Sequence, residues 1–249
     1  MTTRMRLDAL LVHKGLVESR EKARALILAG QVDVGGHGAH KAGTLVHVEA
    51  DVHVIGPEHP WVSRGGLKLA HALDVFAVDV AGVLALDIGA STGGFTDVLL
   101  QRGARHVIAL DVGHGQLHWK LRQDARVTAI EGANARYLTR EALPDIGPGV
   151  GLVVIDASFI SLTLIFPVLP PLLAPRAPVI ALVKPQFEAG RQDVGRKGVV
   201  SRPEVHQRVI AQVTAAAAAV GLERRDLTES PITGAQGNKE FLMLLGARP

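Results

Sequence analysis

Five short runs of almost unbroken Val, Ile, Leu and Ala constrain this chain most: "VLALDIG", "HVIALDVG", "VTAIEG", "GLVVIDASF" and "PVIALVKPQF". A strand with one face in water alternates apolar and polar residues, so strands this apolar need cover on both faces. Helices above and below a parallel sheet give that cover, and helical stretches do separate the runs. The expected class is therefore α/β, with a Rossmann-like sheet beginning after about residue 67. Open sheets of this kind bind ligands outside the carboxyl ends of their strands, where these runs carry their polar residues. With 249 residues, 47% of them hydrophobic, the chain can fill such a domain and a small one in front of it.

The front is organised differently. Leu7, Leu10 and Leu11 share one helical face before Gly15, and Ser19 can cap a second helix with Ala23, Leu26 and Ile27 on one face and Gly30 as its stop. "QVDV" and "LVHVEADVHVI" alternate like short strands around the turn-rich "GGHGAHKAG". Seven Lys/Arg against four Asp/Glu fall in the first 41 residues, most of the excess on the two helices. This order of elements, with "RLDALLV" and "SREKARALILAGQVDVGG", resembles the S4 RNA-binding domain. The resemblance implies a small α+β domain that presents cations to folded RNA, with Arg6, Arg20, Lys22 and Arg24 at matching positions and Arg4 beside them. "GPEHPWVSRGG" then breaks the pattern with two prolines and three glycines. A front domain is expected over residues 1–58, a linker over 59–66 and the second domain over 67–249.

The first apolar run of the second domain enters the turn "DIGASTGGFTD". A dinucleotide turn reads G-x-G-x-x-G, whereas Gly89, Ala90, Ser91, Thr92, Gly93 and Gly94 lack the middle glycine. Asp87 beside the turn would repel a pyrophosphate, the group such a turn exists to hold. A cationic ligand suits it better. S-adenosylmethionine (AdoMet) fits: its ammonium and sulfonium can use Asp87, and its carboxylate can use backbone N–H groups near Gly93 to Phe95. Asp111, at the end of the next strand, can take a ribose diol, and Asn134 in "EGANAR" the adenine edge. Gly89, Ser91, Thr92, Gly93, Gly94 and Phe95 complete the expected cofactor set.

Four more charges stand in suggestive places: Lys68 in "SRGGLKL", Asp156 in "DASF", Lys184 in "LVKPQFE" and Glu240 in "NKEF". Lys184 interrupts an apolar strand where such a sheet presents its ligand-binding edge. Lys, Asp, Lys, Glu is the order found in RNA ribose 2′-O-methyltransferases. With the S4-like front and the glycine turn, these motifs resemble the hemolysin-A (TlyA) family of ribosomal RNA 2′-O-methyltransferases along almost the whole chain. The resemblance implies a mostly parallel seven-stranded sheet, AdoMet as cofactor, cytidine riboses of ribosomal RNA as substrate, and Lys68, Asp156, Lys184 and Glu240 as the catalytic tetrad. Ribosomal subunits are the expected setting. "HPWV" departs from the family where a basic residue is expected in place of His59. A ribose hydroxyl must be oriented toward the methyl group and must lose its proton. Lys184 can serve as base or only as orienter, since Lys68 and burial would lower its pKa while Asp156 and Glu240 would raise it.

"EAGRQDVGRKGVVSR" reads either as a solvated loop or as a mobile flap clamping RNA phosphates, with Arg191, Arg196 and Lys197, joined by Arg64, as further RNA contacts. The rival readings are an amino-group methyltransferase, since "DASF" resembles D-P-P-Y/F, a non-enzymatic S4-type RNA-binding protein, and a membrane-active hemolysin. The chain has no cysteine, which excludes a disulfide framework, thiolate zinc and a cysteine nucleophile for methylation at carbon. No metal site is expected. No secretory signal or spanning segment is apparent, so a cytoplasmic protein without membrane contact is expected.

Overall fold

The computed structural model describes residues 3–28, 30–38, 41–54 and 59–247. The chain forms two compact units, Met1–Pro60 and Trp61–Pro249. The boundary expected at residue 58 lies outside the described residues. Residues 61–66, expected as linker, belong to the larger unit. There the amide of Val62 donates to Asp97 Oδ2 at 2.8 Å.

In the smaller unit, strand β1 (Arg4–Arg6) runs directly into helix α1 (Leu7–His13), followed by α2 (Arg20–Leu28), β2 (Val32–Val34), β3 (His37–Gly38), β4 (Leu45–His47) and β5 (Val52–Val54). Strand β1 pairs antiparallel with β4, and β2 pairs with both β3 and β5. Leu7, Leu10 and Leu11 pack against Ala23, Ile27, Val32 and Val52. The expected helical faces are the buried ones, and Ser19 Oγ accepts from the amide of Lys22 at 3.2 Å, as a cap should.

The larger unit begins with α3 (Gly65–Val75) and β6 (Leu84–Ile88), then α4 (Gly94–Gln101), β7 (His106–Leu110), α5 (Trp119–Arg122), β8 (Val127–Ile130) and β9 (Leu152–Ile155). It ends with α6 (Leu162–Ile165), β10 (Val179–Val183), α7 (Pro185–Glu188), α8 (Pro203–Ala219), β11 (Leu222–Glu229) and β12 (Phe241–Ala247). Seven strands form one sheet in the order β11-β12-β10-β9-β6-β7-β8, in which only β12 runs against the others. Successive residues of each central strand supply opposite layers. Leu86, Ile88, Val153, Ile155, Ala181 and Val183 face Phe166 and α8, while Ala85, Leu152, Val154, Ile180 and Leu182 face α3 and α4. That two-sided burial is why the runs are apolar throughout. Along α8, Val205, Val209, Val213 and Ala217 recur every four residues and are buried, so the alanine-rich stretch is an amphipathic core helix.

The chain winds outward from β6 through β7 to β8 and then returns to the other side of β6 as β9. The two connections leave β6 and β9 in opposite directions, which opens a crevice above the carboxyl ends of these strands. Among the described residues no helix is long and apolar enough to cross a membrane. Phe166 is wholly buried in the layer beneath α8. Phe166→Ala is expected to cost about 3–5 kcal/mol, read as a lower urea midpoint for the larger unit.

Candidate active site

Two cavities meet at the crevice. The smaller, about 180 Å³, lies between Ser63, Gly65, the turn after β6, Phe95 and the ends of β9 and β10. The larger, about 740 Å³, runs from Ile88 past Asp111 and Asn134 to Phe159 and Leu164. Gly89, Ser91, Asp156 and Ser158 border both, so the two are lobes of one groove.

The glycine turn is shaped by close approach. Gly89 has φ +86°, and a Cβ there would come within 2.7 Å of the backbone oxygen of Asp156. A side chain would force the ends of β6 and β9 apart. Ser91 also adopts a left-handed conformation (φ 48°), and its amide donates to Asp111 Oδ2 at 2.8 Å. Asp111 Oδ1 accepts from the amide of Gly113 at 2.7 Å. The carboxylate is thereby fixed at the wall of the larger lobe, beside Asn134, whose Oδ1 accepts from the amide of Arg136 at 3.0 Å. Thr92, Gly94 and Phe95 line the smaller lobe, where the first turn of α4 offers amide donors and the positive end of its dipole. Gly93 lines neither lobe, and its amide is spent on the carbonyl of Ala90 at 2.7 Å.

Asp87 sits deeper than its place in the sequence suggests. It is fully buried and lines neither lobe, lying beneath the floor formed by the turn. Oδ2 accepts from Thr96 Oγ1 at 2.6 Å, while Oδ1 is buried with no hydrogen-bond partner. Burial, opposed by the Thr96 bond and helped by the charges of Asp156 and Asp111, pushes its pKa up to about 7. A cation bound above it would favour the charged form.

The four residues read as a tetrad form two lysine–carboxylate pairs. Lys184, at the end of β10, reaches Asp156 Oδ1 at 2.7 Å and donates to Ser158 Oγ at 2.8 Å. This pair lines the smaller lobe. Lys68, on α3, donates to Glu240 Oε2 at 2.5 Å, both groups buried, and neither lines a lobe. The Glu240 carboxylate occupies the space where a Cβ on Gly234 would stand, so Gly234 is part of its seat.

Several residues escaped the sequence reading. Ser158 and Asn238 stood inside "DASF" and "GNKEF" without a role, and nothing in the sequence marked Gly234. Phe159, left-handed at φ 63° and 91% exposed, holds its ring 5.0 Å from that of Phe187, beside Lys184. The segment from Glu188 to Arg202 is tied to its surroundings by side-chain bonds. Asp193 is bonded by Arg202 and Arg208. Asn238 Nδ2 donates to Gly198 O at 2.9 Å, its Oδ1 accepts from the amide of Val200 at 3.0 Å, and the His206 ring bonds the Val200 carbonyl at 2.8 Å. Arg191, Arg196 and Lys197 are nonetheless exposed on it. Arg64, also exposed, immediately precedes α3 and donates to Thr233 O at 3.4 Å. In the smaller unit Arg4 and Lys22 are exposed, while Arg6, Arg20 and Arg24 all converge on Asp8.

A buried carboxylate with an unmatched oxygen below a glycine turn, a helix start for a ligand carboxylate and a fixed aspartate for a ribose diol match the donor and acceptor pattern of AdoMet. This sheet and groove are those of an AdoMet-dependent methyltransferase. The FtsJ-like methyltransferase model matches residues 61–247 and the S4 domain model residues 5–52. A Mycobacterium tuberculosis protein named 16S/23S rRNA (cytidine-2'-O)-methyltransferase TlyA is 48% identical over 98% of this chain and 91% of its own length. Hemolysin A of Brachyspira hyodysenteriae is 42% identical over 96% and 98%. A solved structure from Streptococcus thermophilus that carries a hemolysin name is 44% identical, covers 99% of this chain and 90% of its own, and gives a TM-score of 0.76. The chain belongs to the TlyA/hemolysin A family of rRNA methyltransferases.

The raised pKa of Asp87 fixes a sign. An acid whose folded pKa is raised supports the fold fully below its ordinary value of 3.8 and loses that support as pH rises through about 7. Without ligand, Asp87→Asn should therefore melt above the wild type, with an advantage that grows between pH 4 and 7 and is constant above. AdoMet affinity of the wild type should weaken as pH falls below about 7, because binding the cation then has to expel a proton. The Asn variant should bind about tenfold more weakly at pH 8. Thermal melts and calorimetric titrations across this range check all three.

Proposed function

We propose that this protein transfers a methyl group from AdoMet to a cytidine ribose 2′-hydroxyl of ribosomal RNA, acting on ribosomal subunits in the cytoplasm. Residues 1–58 serve as the RNA-binding front and residues 67–249 as the transferase. The observation that carries this reading is the Lys184–Asp156–Ser158 cluster in the smaller lobe, next to the turn that takes the cofactor. AdoMet supplies an electrophilic methyl group on a sulfonium.

The chain's own residues supply position and a proton path. Lys184 Nζ, held between Asp156 and Ser158, is placed to donate to the ribose oxygen and so aim a lone pair at the methyl group. With AdoMet bound, the proton released as the methyl group passes from sulfur to the ribose oxygen, leaving a neutral thioether, would go to the Asp156 carboxylate, which lines the same lobe. Lys68 and Glu240 neutralise each other behind the groove and hold the entry of α3 against the loop before β12. An ammonium already engaged by a carboxylate is a donor, which favours the orienting role for Lys184 over that of base. The cations expected to hold RNA are Arg4, Arg6, Arg20, Lys22 and Arg24 in front, with Arg64, Arg191, Arg196 and Lys197 on the transferase.

Lys184→Ala should keep AdoMet and RNA affinity within a few fold while single-turnover transfer falls by about 10²–10⁴. Labelled AdoMet with intact subunits and with naked RNA, followed by alkaline hydrolysis, tests the reaction itself, because a 2′-O-methyl group blocks cleavage at its own position. Label recovered on the base of a mononucleotide, with no protected linkage, would instead support amino-group methylation.

A further inference from the structure

The smaller unit buries a carboxylate that its apolar core does not call for. Asp8 has no solvent exposure and sits in the first turn of α1 among Leu7, Leu10 and Leu11. An isolated charge there would be costly, yet three arginines surround it. Arg6 Nε donates to Oδ1 at 3.1 Å and Arg6 Nη2 to Oδ2 at 3.2 Å. Arg20 Nη2 reaches Oδ2 at 3.0 Å and Arg24 Nε reaches it at 3.2 Å. The three come from the end of β1, the start of α2 and one turn further along α2. Their side chains remain 47%, 51% and 60% exposed. The backbone closes on the first of them, since a Cβ on Gly43 would lie 3.2 Å from Arg6 Nη1.

We propose that Asp8 is a positioning residue for RNA, which gathers Arg6, Arg20 and Arg24 into one preorganised platform for backbone phosphates. The inference rests on the RNA-binding role of this unit proposed above. Three cations and one anion leave a patch of net charge +2. Without the anion the guanidinium groups repel one another, and each phosphate contact must then order a long side chain by itself. With it, the forks are already fixed near one another while most of their N–H groups remain for bidentate contacts. A negative charge thus raises the affinity of a surface for a polyanion, the reverse of what net charge alone dictates. The guanidinium groups, Arg6 foremost, hold the Asp8 carboxyl well below the usual carboxylate range, so substitution rather than pH is the way to remove its charge.

The two accounts differ in sign under Asp8→Asn in the full chain, with labelled ribosomal RNA extracted from bacterial subunits as probe. Positioning predicts about tenfold weaker binding and a salt dependence shallower by about one unit per lost phosphate contact. Asp8→Glu should recover part of the loss, and AdoMet affinity should not change. Binding that is equal or tighter, with a steeper salt dependence, overturns the proposal. Arg20→Gln and Arg24→Gln run beside it. If they weaken binding and Asp8→Asn does not, only the proposal fails, whereas if none of them matters the RNA-binding reading of the unit fails too. Should Asp8→Asn alone unfold the unit, the pair Asp8→Asn with Arg24→Gln keeps the net charge. It should bind more weakly than Arg24→Gln alone, and equal binding overturns the proposal.

Discussion

The reversal of winding direction between β6 and β9 is the constraint on which the site depends. Strands buried on both faces bring no polar side chain to the surface along their length, so chemistry has to collect where they end. Splitting the connections at β6 and β9 opens a crevice at that edge, and the strand-end residues from β6 to β10 then converge on it without any long-range recognition of their own. Asp111, Asn134, Asp156 and Lys184 all stand just beyond a strand. The absent side chain of Gly89 lets the end of β6 lie close against the Asp156 backbone.

Burying charge at such an edge is costly, and this protein meets the cost by pairing. Lys184 is matched by Asp156 and Lys68 by Glu240, so two buried cations leave no net charge. The Lys68–Glu240 pair also ties α3, which opens the larger unit, to the segment before its last strand. Gly234 provides room for that carboxylate, and Asn238, two residues before Glu240, holds the basic segment through Gly198 and Val200.

What the sequence disclosed follows from which interactions are local. The central strands were legible because double burial leaves its mark residue by residue, and α1, α2 and α8 because one face of each repeats at helical spacing. Strand β1 was not, since three largely exposed residues carry no pattern and become a strand only through pairing with β4. The groove residues could be named from motifs. Their pairing could not, because Lys68 and Glu240 lie 172 positions apart and nothing local says which lysine takes which carboxylate. The basic segment looked loose for the same reason, its main anchor Asn238 being 38 to 40 positions away. Asp87 was recognised as the odd residue of the turn, but its depth depends on how α4 and Thr96 fold over it.

Three buried carboxylates show how much partners decide. Asp8 is surrounded by guanidinium groups and is held ionised, with its pKa depressed. Glu240 is matched one to one by Lys68 and completes a neutral pair. Asp87 is bonded by Thr96 rather than by a cation, and burial pushes it up to about 7. All three are almost wholly hidden from solvent, so burial alone does not set their charge. A carboxylate with its cations built in is a fixed part of the architecture. One without them is pushed toward the acid form, as Asp87 is beneath the glycine turn. The raised pKa of Asp87 costs the fold stability at neutral pH, and a cationic ligand that favoured its charged form would recover that cost on binding.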